Sequence, residues 1–485
     1  MSDSLIQRSV TTAVARNLAT TTKTAPQMTS ITPRHLLSLL PWKDVEGGTY
    51  RVNRTKVELP KAQRVELNVN GETAQFAAQA LRSVPLFARL SDPILAALTT
   101  NFVTETIPLG KTLVTEGDQE NNFFIVAQGQ IEVLNKGVHG SDLRIALLTD
   151  GEYFGEGELV SDKPSDVTIR TLTPSLILRL ARTKVDALLT QNPTYKNEFD
   201  KAIVEFQELQ ASVNKFGEKN IDLVSGSAEN VIIPETFVDY SPTPREYSLS
   251  SVQTVVRVHT RVSDLYNNPY NQLEEQLRLT IEGIKERQEW ELINNKKFGL
   301  LHSVDPAFRI SARYGAPTPD DLDELLALVW KQPAFFIAHP KAIAAFEREC
   351  TWRGVPPVTA TVNGATIILW RGVPLIPSDK VEIKSRYQYS QGQGTTSILL
   401  VRVGEENQGV VGLHQKGIPG EIAPSLSARL MGLDNLGVAS YLLTLYFSAA
   451  VLTDDAIAVL ENVEVGSYHH YESSTPDDHA GGSGI

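Results

Sequence analysis

The strongest periodicity in the chain is helical. Between Gln272 and Asn294 the residues Leu273, Leu277, Ile281, Ile284 and Leu292 return at helical spacing, which predicts one helix with a single apolar stripe and a length of roughly 35 Å. Glu274 with Arg278 and Lys285 with Glu289 then read as i,i+4 pairs on its other faces. Upstream the period changes to two. Phe102 to Ile107, Lys111 to Thr115, Phe123 to Val126, Gln130 to Asn135, Leu143 to Leu148, Val167 to Thr171 and Leu176 to Leu180 are short β-like runs separated by Gly, Asp, Asn or Pro, the pattern of a small barrel or sandwich. Gln75 to Leu98 before it reads as helix broken by Pro85 and Pro93. A helix resumes near Arg182 and, after Pro193, carries Phe199, Ile203 and Phe206 on one stripe.

The flanks divide the rest. Residues 1–40 are Thr- and Ala-rich with few large apolar side chains and read as an arm that orders on contact with something else. Residues 41–74, from Trp42 through Tyr50 and Val52, read as strand and extended loop with a turn at Gly47-Gly48. The β-like unit with its helices spans 75–210, and residues 211–232 are polar and aperiodic, as a linker is. Residues 233–466 open on a β-like run from Tyr247 to Val262 and alternate helix and strand after the long helix. Helices are expected at Pro319 to Val329 and Pro340 to Glu349. Strands are expected at Ala334 to Ala338, Val362 to Leu369, Val381 to Ile383, Thr396 to Val403 and Ser440 to Phe447. Residues 467–485 read as a flexible tail. The sum is an α+β domain of which the first part precedes an inserted β domain.

Composition narrows the chemistry. The 485 residues suggest two or three globular units. Hydrophobic residues at 41% and charged residues at 21% are those of a folded soluble protein. No apolar run approaches the ~20 residues that span a bilayer, so no membrane partner and a cytoplasmic location are expected. The formal charge of -12 argues against nucleic acid. Cys350 is the one cysteine, so disulfides and cysteine-held metals are excluded within the chain. The charge is uneven. Residues 1–40 hold Arg8, Arg16, Lys23 and Arg34 against Asp3, whereas 467–485 hold Glu472, Asp477 and Asp478 with no Lys or Arg.

Three stretches of the β unit resemble the cyclic-nucleotide-binding domain of the catabolite activator protein and of protein kinase regulatory subunits. Ser83 to Asp92 (SVPLFARLSD) is similar to its entry helix. Glu116-Gly117-Asp118, Asn122 to Val126 and Gly129 to Val133 are similar to its turn and strands, and Leu148 to Glu156 (LTDGEYFGE) opens a phosphate-binding cassette. The resemblance implies an all-β roll flanked by helices and a ligand pocket at Phe154, Gly155, Glu156, Ser165 and Asp166. In that family a glycine lets the backbone approach the cyclic phosphate, a glutamate accepts from the ribose and an arginine neutralises the phosphate. Gly155 and Glu156 match. The arginine position holds Ser165, followed by Asp166. Loss of a hydrogen bond to a charged group weakens binding roughly 10- to 150-fold. A cyclic nucleotide is thus the ligand that the fold suggests and these two residues oppose; a structural or partner-binding roll is the stronger expectation, and an uncharged or differently charged small ligand is the third reading.

Outside the roll, Leu40-Pro41-Trp42, Gly48 to Arg54 (GTYRVNR), Ser251 to Tyr266 (SVQTVVRVHTRVSDLY), Phe336 to Lys341 and Leu369 to Ser378 resemble the family 2 encapsulins. An inserted roll is what sets apart the subgroup called family 2B. The resemblance implies a phage major-capsid-like shell fold and self-assembly into an icosahedral compartment of 60 subunits. It further implies an enclosed cargo enzyme of the terpene synthase or prenyltransferase class.

No enzyme is expected. Motifs of the GxSxG, HExxH and GxxxxGK[ST] kinds are absent, so no catalytic residue, metal site or cofactor is assigned. His259 and His339 read as structural, Cys350 as a passive thiol, and His469-His470 lie in the tail. The alternative is a cyclic-nucleotide-responsive regulator that does not assemble, and particle size separates the two.

Overall fold

The computed structural model describes residues 24–59, 61–118, 122–137, 140–160, 164–226, 232–261, 269–362, 364–385 and 394–468. Residues 1–23 of the expected arm and 469–485 of the expected tail, including His469-His470, lie outside them. The chain forms two compact units. One comprises the chain up to Lys43, Ser251–Ser303 and from Ala312 onward; the other comprises Asp44–Ser250 with Val304–Ser311.

In the second unit the period-two runs become strands close to where the pattern places them. Tyr153–Phe154, Asn122–Gln128, Ser175–Ala181 and Val103–Ile107 form one sheet in that order, and Thr112–Val114, Thr168–Thr171, Ile131–Lys136 and Asp142–Leu148 form another. Between them Ile107, Val114, Phe124, Val126, Ile131, Phe154, Ile169 and Ile177 make an apolar filling. A second apolar cluster, with Phe87, Leu95, Leu98, Phe123, Leu178, Leu180 and Phe199, packs the first sheet against the flanking helices Asp92–Thr99, Arg182–Gln191 and Pro193–Ser212. The stretch read as helix from Gln75 is instead a strand Thr73–Gln75 followed by 3-10 turns at Ala78–Ser83 and Pro85–Phe87. Pro85 opens the second turn, where its fixed φ and missing N–H suit a first helical position and end the turn before it. Ser91 does not cap helix Asp92–Thr99 through its side chain. Its N–H and hydroxyl instead donate to Glu198 at 2.5 and 2.9 Å.

Thr49–Val52 pairs antiparallel with Arg245–Ser248, with Gly47 and Gly48 at positive φ in the turn before it. The pairing continues as Lys56 N–H donates to Asp239 O and Glu58 N–H to Gly217 O, both at 2.9 Å. The incoming and outgoing chains of the roll thus run side by side as an extended ribbon.

In the first unit the predicted long helix runs Gln272–Asn294, capped by Asn271, whose side chain accepts from the N–H groups of Leu273 and Glu274. It buries Ile284, Gln288, Glu289, Leu292 and Ile293. The expected surface pairs are not those formed. Arg278 pairs with Glu275 at 2.8 Å, and Glu289 is 1% exposed and accepts from Leu36 N–H at 3.1 Å. Around this spine lie two sheets. In one, Ile457–Glu464, Thr395–Val401, Phe335–Ala338, Val373–Pro377, Ala365–Trp370 and Val358–Val362 are successive neighbours. In the other, the succession is Trp42–Asp44, Val410–His414, Val438–Val451, Leu426–Leu433 and Glu421–Ala423. The strand expected at Val381 to Ile383 does not form, and Val373–Pro377 takes the sheet position beside Phe335–Ala338 in parallel register. Helix Pro319–Leu328 starts with a Thr318/Asp321 capping box.

Candidate functional site

The cassette begins where strand Tyr153–Phe154 leaves its sheet. Phe154 does not face a ligand space. Its ring stacks on Phe124 at 4.7 Å inside the filling of the roll. Gly155 follows at φ +88°, and a Cβ there would lie 2.3 Å from the Asn122 carbonyl oxygen. Glycine is therefore required for the turn to pass its neighbouring strand. Glu156 starts the short helix Glu156–Val160, and burial raises its carboxyl above the ordinary range. The Tyr153 hydroxyl is buried with no hydrogen-bond partner among the described residues. Burial, and then the charge of Glu156, push its phenol upward.

Ser165 is 7% exposed. Its N–H donates to Asp118 O at 2.9 Å while its carbonyl accepts from Gly117 N–H at 2.8 Å, so the cassette's far end is stitched to the Glu116-Gly117-Asp118 turn. Its hydroxyl donates to Val167 O at 3.1 Å. Asp166 is exposed. Both residues thus stand in the cassette as the sequence suggests, and neither supplies positive charge. Residues 161–163 lie outside the described residues.

Sequence reasoning missed Glu158. Burial, the largest cause, and the nearby charge of Asp166 raise its carboxyl, while the Ser165 hydroxyl and Asn122 N–H pull it down. Its Oε2 is buried without a partner among the described residues. The signal was the Glu156-Gly157-Glu158 run, which puts a second carboxylate at the start of the cassette helix. Arg170 cannot replace the missing arginine, because its Nε and Nη2 lie 2.8 and 2.5 Å from Oε1 of buried Glu132, which Arg144 also holds. The described cassette residues therefore gather carboxylates where a cyclic phosphate needs a cation.

In the shell-like unit, His339 Nδ1 accepts from Lys341 N–H at 3.0 Å and caps helix Pro340–Trp352. Cys350 is fully buried, and burial pushes its thiol up to about 12, the state of an unreactive thiol. Among the described residues no group of His, Cys, Asp and Glu could hold a metal ion, and no helix is long and apolar enough to cross a membrane.

Comparison with known proteins gives one match within the roll and another that begins in helix Pro193–Ser212 and runs on through most of the first unit. A family model described as Type 2A encapsulin shell protein SrpI-like matches residues 206–467, and a cyclic nucleotide-binding domain model matches 104–192. The Type 2A encapsulin shell protein SrpI of Synechococcus elongatus is 62% identical over 239 residues, 49% of this chain and 76% of that protein. A Type 2A encapsulin shell protein of Mycobacterium leprae is 56% identical over 248 residues, 51% of this chain and 78% of its own. The cryo-EM structure of the holo-SrpI encapsulin complex from Synechococcus elongatus matches with a TM-score of 0.54 at 37% identity, covering 96% of this chain and 99% of the other. For the roll, the cAMP-dependent protein kinase regulatory subunit of Candida albicans is 31% identical over 109 residues, 22% of this chain and 23% of that protein. The type is 2A, not the expected 2B, since the model and the relatives that match the shell residues carry that designation. With more than half of its residues under the family model, the chain belongs to the SrpI-like family of Type 2A encapsulin shell proteins.

Proposed function

We propose that the chain builds the wall of a closed icosahedral compartment of 60 copies, in the cytoplasm, around a cargo enzyme. The observation that carries the reading is the continuous match of residues 206–467 to a shell-protein family. The long spine helix and the ribbon at Thr49–Val52 and Arg245–Ser248 support it, because closed assemblies need extended elements that reach beyond one subunit's core. The wall role is structural and calls for no catalytic group. The cargo class expected above, terpene synthase or prenyltransferase, went with the family 2B resemblance that the Type 2A match replaces, and is not carried over. Electron microscopy of the purified protein tests the reading. Uniform hollow particles are expected, and a dimer at every concentration and salt would overturn it.

For the roll we propose a structural or partner-binding role without cyclic-nucleotide recognition. Ser165 in the arginine position, Glu158 with a buried oxygen that has no partner among the described residues, and Arg170 committed to Glu132 support this. Calorimetric titration with cyclic AMP and cyclic GMP decides it, and saturable micromolar binding would sink it.

A further inference from the structure

The chain before Lys43 is fastened to the spine helix Gln272–Asn294 by a ladder of polar contacts. Arg278 Nη2 donates to Pro26 O at 2.8 Å. Thr32 donates from its N–H to Glu286 Oε1 at 2.7 Å and from its hydroxyl to Oε2 at 2.9 Å. Arg34 pairs with Glu282, and also with Glu286 at 3.4 Å. Leu36 N–H donates to Glu289 Oε1 at 3.1 Å. The helix positions 278, 282, 286 and 289 follow at spacings of four, four and three, so a single face of the helix holds the arm.

The last rung differs from the others. Glu289 is 1% exposed. The groups around it are Leu36 N–H from the arm, Glu286 from its own helix, and Asp379 and Lys380 from the segment after strand Val373–Pro377. Lys380 is already shared, 2.9 Å from Glu286 Oε2 and 2.5 Å from Asp379 Oδ1. An ionised Glu289 therefore shares one cation with two other carboxylates while buried. Next to Leu36, His35 is also buried.

We propose that residues 24–40 form a pH-released strap, docked on the spine helix while Glu289 is protonated and freed once it ionises. Burial is the largest influence on Glu289, and with the charges of Glu286 and Asp379 it pushes the carboxyl up to about 7 against the pull of Leu36 N–H and Lys380. A group whose docked pKa is raised favours docking below its released value and loses that contribution as pH rises through the docked one. Docking thus weakens as pH rises from about 4.5, the ordinary value of the released carboxyl, to about 7, and levels off above it. Glu286 is not the trigger. Burial raises it, but Thr32 and Lys380 outweigh burial and hold it below the ordinary range, so it stays ionised throughout. Burial lowers His35, so its titration runs the other way and favours docking as pH rises.

Hydrogen exchange of the full chain between pH 5 and 8, corrected for intrinsic rates, tests the strap. Protection of amides Thr32 to Leu40 is expected to fall by up to about tenfold per pH unit up to pH 7 and to level off above it. Amides of strand Val438–Val451 are expected to hold steady. Glu289→Gln keeps an acceptor for Leu36 and has no proton to lose, so the fall is absent from its profile; Glu289→Met serves the same purpose if Gln loosens the fold. A flat wild-type profile, an unchanged slope in both variants, or parallel loss in Val438–Val451 would each overturn the proposal.

Discussion

Arg170 and Glu132 stand opposite each other on adjacent antiparallel strands of the roll, with Arg170 Nε 2.8 Å from Glu132 Oε1. Glu132 is 1% exposed and takes a second guanidinium from Arg144, 2.8 Å from its Oε2. The nearest downstream arginine to the cassette is therefore a structural partner of a buried carboxylate. Removing that carboxylate leaves two partly exposed arginines that water can still reach. Glu132→Ala is thus expected to cost about 2 kcal/mol, below the ~3–5 of a fully buried broken pair. Hydrogen exchange in Ile131–Lys136 measures the loss. Unchanged protection there would mean that the pair contributes nothing to the roll.

The charge of the cassette gives the second prediction. Ser165→Arg alone restores the missing cation beside Glu158, which would capture it. Ser165→Arg with Glu158→Ala removes the captor. The double variant is expected to bind cyclic AMP roughly 10- to 150-fold more tightly than the wild type, the worth of one charge-assisted hydrogen bond. The single variant is expected to gain less. Calorimetry reads all three proteins, and equal affinities would show that charge is not what closes the site to cyclic phosphates.

The glycines of the cassette separate backbone need from mere composition. Gly155 sits at φ +88° with its missing Cβ 2.3 Å from Asn122 O, whereas a Cβ at Gly157, in helix Glu156–Val160, meets nothing within 4 Å. Gly155→Ala is expected to destabilise the roll by about 2 kcal/mol or more from left-handed strain and the clash. Gly157→Ala is expected to be neutral or to stabilise by up to ~1 kcal/mol through helix propensity. Exchange protection in Asn122–Gln128 distinguishes them, and equal effects would refute the geometric argument.

Legibility followed local chemistry. Short β-like runs between turn residues placed the roll's strands even where both faces are buried, as along Asn122–Gln128, and the spine helix was legible from its apolar spacing, of which Ile284 and Leu292 are buried. Tyr153–Phe154 is too short to carry a period. Val373–Pro377 was passed over because Pro374 and Pro377 lack N–H donors, yet it lies inside its sheet. Val410–His414 and Leu426–Leu433 were missed, the latter because residues Arg429 to Leu433 are exposed without alternation. At the cassette, Ser165 and Asp166 were readable by position. Glu158 became significant only once the fold brought Ser165 and Asn122 to it. The same holds for Glu289, whose sequence spacing pointed to Lys285 and whose actual partner is Leu36, 253 residues away.

A last prediction concerns Arg402, which is 1% exposed and places Nη2 2.7 Å from Asp455 Oδ1. Thr453 donates its hydroxyl to the same oxygen at 2.7 Å, and Lys331 Nζ lies 2.8 Å from Oδ2. Burial alone would raise Asp455, but Arg402, Lys331 and Thr453 outweigh it and hold the carboxyl well below its ordinary value of 3.8. A depressed carboxylate contributes stability that is present above that ordinary value and is lost as pH falls through the folded one. Asp455→Asn leaves the buried guanidinium without its charge partner, at an expected cost of about 3 kcal/mol at pH 7. The difference from the wild type is expected to shrink below pH 4, where the wild-type unfolded chain takes up the proton that the folded chain refuses. Exchange protection of strand Thr395–Val401 at pH 7 and pH 3 gives both numbers. If the difference is the same at the two pH values, the Arg402–Asp455 pair does not hold its charge as the geometry requires.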